Sequence, residues 1–143
     1  MSATILRPVY VPTAPNAYSI HVETGAERDL LLSWLGLLES GRHIGSFLAC
    51  DSITESGVTL NVIVGGASLA ARVALQVAFA ETRTAVVLAR VWSLPGCCAG
   101  IAQDLGRSVN DVREALDALA GAGLAYEVGA VWRAAPLARG GAA

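Results

Sequence analysis

The stretch Gly100 to Glu127, GIAQDLGRSVNDVREALDALAGAGLAYE, decides the fold. Ile101, Ala102 and Leu105 form the inward face of a short helix expected over Cys98 to Leu105. Gly106 permits a tight turn. Ser108 has the side chain of an N-cap and opens a longer helix, Val109 to Gly121. There Val109, Val112, Leu116 and Leu119 recur at i, i+3, i+7 and i+10, which predicts a buried stripe. Gly121 and Gly123 end the helix.

Upstream, AVVLARVW (Ala85 to Trp92) predicts another helix, stopped at Leu94-Pro95-Gly96. Downstream, LAYEV and VWRA flank Gly129-Ala130 and predict a β-hairpin. Glycine in the first turn position predicts a type II′ turn. Trp132 is expected to pack on the third helix. The order is helix, helix, turn, helix, hairpin.

That order and the apolar pattern resemble the winged helix-turn-helix superfamily, in which "IA-x-x-L-G" is followed by "S-x-x-x-V-x-x-x-L-x-x-L-x-x-x-G-L". The pattern is shared by MarR-, ArsR- and PadR-like regulators and by the dimerisation domains of some methyltransferases. The resemblance covers residues 84–136 and implies an α+β chain: a small N-terminal α/β region for dimerisation or sensing (1–83), a winged helix (84–136) and a flexible tail (137–143). It implies a homodimer that binds double-stranded DNA with its third helix in the major groove. By position, Arg107, Ser108, Asn110, Arg113 and the wing residue Arg133 become the candidate DNA contacts. Asp111, Glu114 and Asp117 fall on the same outward face, and duplex DNA repels carboxylates. That acidity supports an alternative, an adaptor whose winged helix docks a protein.

Residues 1–83 resemble no family. Pro8, Pro12 and Pro15 interrupt the first stretch, in which Ile5, Val9, Tyr10 and Val11 are candidates for an edge strand. YSIHVE (Tyr18 to Glu23) alternates as a strand does. Thr24 and Glu27 form a capping box for a helix carrying Leu30, Leu31, Trp34, Leu35, Leu37 and Leu38 and ending near Gly41. Strands are expected at Ile44 to Asp51 and Gly57 to Val64, joined by the turn SITES, with Ile44, Phe47, Val58, Leu60 and Ile63 buried. A helix then opens near Ser68, with Leu69, Val73, Val77 and Ala80 on one stripe. It is apolar enough to suggest a subunit interface.

The chain has ten basic and twelve acidic residues, net charge −2, so any contact with nucleic acid rests on a local patch. All ten basic residues are Arg. The uncharged run Ser56 to Ala71 contains three Gly and an Asn and is shorter than the roughly 18–20 residues of a spanning helix. With no apolar segment at the N-terminus of the kind a secretory signal carries, a cytoplasmic protein is expected.

Three Cys, two of them adjacent, imply no disulfide framework. Cys97 and Cys98, at the entrance to the second helix, are a candidate redox or soft-metal pair. VIVGGAS (Val62 to Ser68) has a Gly pair before a helix but lacks the GxGxxG spacing. His21, His43, Cys50 and Asp51 match no familiar metal or nucleophile spacing. The sequence therefore predicts no enzyme, no cofactor and no metal site.

Overall fold

A computed structural model of the chain describes residues 17–137. The expected strand near Ile5 to Val11 and a tail contact by Arg139 lie outside the described residues.

The N-terminal region contains β1 (Ala17–Val22), α1 (Gly25–Ser40), β2 (Ser46–Thr54), β3 (Gly57–Gly65) and α2 (Leu69–Ala78). The three strands form an antiparallel sheet in the order β1-β3-β2. Ile20 pairs with Leu60, and Ala49 with Val62. Leu60, Val62 and Val64 are buried, so Ile63, expected in the core, lies on the opposite, half-buried face. The strand alternates, with Val58, Leu60, Val62 and Val64 on one face and Thr59, Asn61 and Ile63 on the other, and pairing with Ile20 and Val22 of β1 turns the first set to the core. The β2–β3 hairpin closes tighter than expected. Ser52, Ile53 and Thr54 join the strand and only Glu55-Ser56 turn. Gly57 follows at φ 148°, where an added Cβ would lie 2.3 Å from the Val22 carbonyl oxygen.

In α1, Leu31, Trp34, Leu35 and Leu38 are buried. Trp34 stacks on Phe79 at 6.4 Å, and Phe79 meets Tyr18 at 5.2 Å. Among the described residues, the buried Trp34 indole N–H has no acceptor. Ser68 caps α2, accepting from the Ala71 N–H at 3.1 Å. The expected stripe of α2 is corrected: Ala71, Ala74, Leu75 and Ala78 face the core, while Leu69 and Val73 are exposed. Arg72 and Gln76, one turn apart, share the outward side with Leu69 and Val73, and the small Ala face lies against the next helix.

That next helix, α3 (Thr82–Ser93), is the centre of the molecule. Every residue from Thr84 to Ala89 is buried. It packs against α1 and α2 on one side and α5 on the other. One contiguous apolar core therefore runs from Ile20 to Ala125, and a division at residues 83 and 84 falls within the first turn of α3.

Then come α4 (Cys98–Leu105), α5 (Val109–Gly121), β4 (Ala125–Val128) and β5 (Val131–Ala134). Arg90 of α3 grips Asp104 of α4 at 2.6 Å. Gly106, at φ 66°, closes α4, and the Arg107 N–H returns to the Ala102 carbonyl at 3.0 Å. In α5, Val112, Ala115, Leu116 and Leu119 are buried. Val109, expected inward, is exposed, because the first turn of α5 projects beyond the core. Gly96 and Trp132 exchange backbone hydrogen bonds of 3.2 and 2.8 Å, which adds a one-residue third strand to the β4–β5 hairpin.

The hairpin turn is also corrected. Gly129 (φ 59°) and Ala130 (φ 68°) both have positive φ, the signature of type I′ and not II′. For Ala this conformation costs about 1–2 kcal/mol, partly offset when glycine loosens the unfolded chain. Ala130→Gly should therefore raise stability by about 0.5–1 kcal/mol, read as a shift of the urea midpoint at constant m-value.

Overall the described residues form an α+β arrangement of five helices and two antiparallel sheets. Among them no helix is long and apolar enough to cross a membrane.

Candidate nucleic-acid interface

The candidate contacts lie on or beside α5. Ser108 caps its N-terminus, accepting from the Asp111 N–H at 3.1 Å. Asn110 and Arg113, three residues apart on one helix face, are both exposed. Asp117 continues that face.

The three outward acids do not act alike. Arg83, in the first turn of α3, reaches Glu114 at 2.5 Å and Asp111 at 3.5 Å, with Glu81 also at 3.5 Å. The hydrogen bond that Arg83 donates to Glu114, with help from the other carboxylates, raises the Arg83 pKa above its ordinary value. Asp111 and Glu114 are thus held to the flank of α5 nearest α3, away from Arg113. Nothing in the local sequence of α5 signals Arg83; its role depends on the α3–α5 packing.

Arg107 is placed differently from its expected DNA contact. Its Nε donates to Glu27 Oε2 at 2.9 Å and its terminal nitrogen to Oε1 at 3.2 Å. The two side chains are only 14% and 6% exposed. Glu27 also accepts from the Glu23 N–H at 3.1 Å, while its own N–H donates to Thr24 Oγ1 at 3.1 Å. The expected capping box is present in altered form, its return arm moved one residue back. The same carboxylate fastens the turn between α4 and α5 to the start of α1. The pair takes two of the five guanidinium donors and holds the side chain at 14% exposure, so Arg107 does not project toward solvent as a phosphate contact would.

Arg133 is separated from Arg113 by the hairpin itself. Arg133 pairs with Tyr126, and Trp132 pairs with Glu127. Successive strand residues face opposite sides. Trp132 and Glu127 line a cleft of about 330 Å³ with Cys97, Cys98, Arg113 and Asp117, so Arg133 lies on the far side of the hairpin. The structure brings together Ser108, Asn110 and Arg113, and leaves Arg107 and Arg133 elsewhere.

Both adjacent thiols border this cleft. Cys97 is exposed, and its sulfur accepts from the Gly100 N–H at 3.3 Å as the cap of α4. Cys98 is half-buried and donates to the Val109 carbonyl at 3.7 Å. His21, His43, Cys50 and Asp51 do not converge. His21 lies on the open face of the sheet near Thr59, and His43 packs edge-on against Trp92. Asp51 is turned toward Arg28 at 2.7 Å. Among the described residues no group of three or more His, Cys, Asp or Glu is placed to hold a metal ion.

No family model, curated protein or solved structure matches this chain.

Proposed function

We propose that residues 84–136 act as a winged helix-turn-helix and that the chain, as a homodimer, binds double-stranded DNA through α5. One observation carries this: Arg83 draws Asp111 and Glu114 aside, and Asn110 and Arg113 remain exposed together on the outward face. Those are the side chains suited to bidentate contacts with adenine and guanine edges in the major groove. The backbone bridge between Gly96 and the hairpin, placed between α3 and α4, supports the winged topology. The exposed N-terminus of α5, capped by Ser108, suits a phosphate.

The contact set is small. With Arg107 engaged and Arg133 turned away, each protomer presents few cations, so affinity should depend weakly on salt. We expect a log–log salt slope of about −2 to −4 for the dimer, since each neutralised phosphate contributes about −0.9. Arg113→Ala should lower specific affinity about 5- to 150-fold, the equivalent of about 1–3 kcal/mol for one bidentate base contact. A gel-shift titration on genomic duplex fragments at low salt checks both. Absence of any shift, or an Arg113→Ala protein that binds as well as the parent, would refute the proposal.

A second function, protein docking, is favoured by the cleft between α5 and the wing. Its rim balances Arg113 against Asp117 and Glu127 and offers the Trp132 indole. Co-purification of a stoichiometric protein partner, with no duplex bound, would establish it instead.

A further inference from the structure

We infer that two copies of this chain join edge to edge along β2, in antiparallel register about Cys50. This rests on the homodimer proposed above and assigns its interface.

The strand β2 runs nine residues, Ser46–Thr54, and its only strand partner among the described residues is β3. A nine-residue edge, about 30 Å long, leaves a row of backbone N–H and C=O groups without a ladder. Natural edges are usually guarded by Lys, Pro, a bulge or a short strand. SFLACDSIT has no Lys or Pro, and its pairing with β3 is continuous from Ser46 to Thr54. Its one charge, Asp51, is turned to α1 and neutralised by Arg28. Leu48 is 68% exposed and Ile53 is 81% exposed.

A second copy fits this edge better than an unrelated strand, because the sequence complements itself. Cys50 is the midpoint of the strand, so a two-fold axis there sets each Cys50 opposite its own copy. In that register Phe47 faces Ile53 of the other copy, an aromatic and a β-branched residue on the core side of the sheet. Leu48 faces Ser52, and Ala49 faces Asp51. The two Asp51 side chains fall on the diagonal across the axis, each paired with Arg28 of its own copy. The Ile53 side chain, the most exposed large apolar group described, gains an apolar neighbour. Two such sheets make one continuous six-stranded sheet from the described strands, with both α1 helices on the same side.

The interface predicts a distance. Opposed Cα atoms in an antiparallel pair lie about 4.5–5.5 Å apart, within the roughly 4.4–6.8 Å range of a disulfide. A Cys97→Ser, Cys98→Ala protein, with Cys50 as its only thiol, should form a covalent dimer when diamide takes up the two thiol hydrogens. Cys50→Lys replaces an exposed side chain and sets two ammonium groups face to face. It should be a monomer by light scattering while keeping the parent circular dichroism. Leu48→Lys provides a second edge variant should Cys50→Lys fail to fold. A monomeric parent protein overturns the inference, whether the edge stays open or residues 1–16 cover it. A dimer that does not cross-link through Cys50 overturns it too. If that dimer still shifts duplex DNA, the interface is wrong and the DNA proposal stands; a Cys50-linked dimer that shifts no duplex gives the converse.

Discussion

Glu27→Ala should destabilise the protein by about 3–5 kcal/mol, although Glu27 belongs to an N-terminal helix turn of a kind usually assigned only a capping role. Deleting one member of a buried ion pair leaves the other charge desolvated and unpaired, which is the costly case. Here Arg107 would be stranded at 14% exposure. The Glu23 N–H would lose its acceptor as well. Glu27→Gln should cost less, because an amide oxygen can still accept from Arg107. Arg107→Met should cost about as much as Glu27→Ala, because it strands the Glu27 carboxylate at 6% exposure with only the Glu23 N–H to satisfy it. Denaturant titration of the three variants orders them, and equal stability of Glu27→Ala and the parent would show that the pair contributes nothing. The comparison also separates folding from DNA binding: if Arg107 is structural, Arg107→Met should retain duplex affinity when corrected for folded fraction.

Leu88→Ala is expected to cost about 2–5 kcal/mol, the range for a fully buried leucine whose site cannot collapse. Leu88 is 0% exposed, in the middle of a helix that packs on α1 and α2 on one side and on α5 on the other. The informative observable is the shape of the transition. Because the core is contiguous through α3, the variant should melt in one cooperative step at lower temperature, with the tryptophan and far-ultraviolet signals coincident. Trp34 reports on the N-terminal side and Trp132 on the hairpin, so two separated transitions would show that the halves fold independently.

The C-terminal helices were legible because their signals are local. Ser108, Gly106 and the spacing of Val112, Leu116 and Leu119 suffice to place α4 and α5. Thr24 and Ser68 marked the starts of α1 and α2 for the same reason. The misplaced core residues run against patterns that the sequence does carry. Thr59 and Asn61 share the alternation of Ile63, and Arg72 and Gln76 share the helix face of Leu69 and Val73, so polar neighbours mark both faces as outward. The site residues changed for another reason. Arg107 meets a partner 80 positions away, and Arg83 meets Glu114 across 31 positions; neither pair has a local signature. The exposed pair Asn110 and Arg113 was readable, while the removal of the neighbouring acids was not.

The shared position of α3 sets a limit on how this chain can be inherited. A recombination event that lifts out the segment from residue 84 onward would carry away a helix without its first turn, and with it the wall against which α1 and α2 rest. The donor would be left with the α3-facing sides of α1 and α2 uncovered, and the recipient would gain a helix exposing the face that α1 and α2 once covered. Such a segment is a poor portable cassette. The two halves are expected to travel through descent as one inseparable unit, and their sequences to drift in concert.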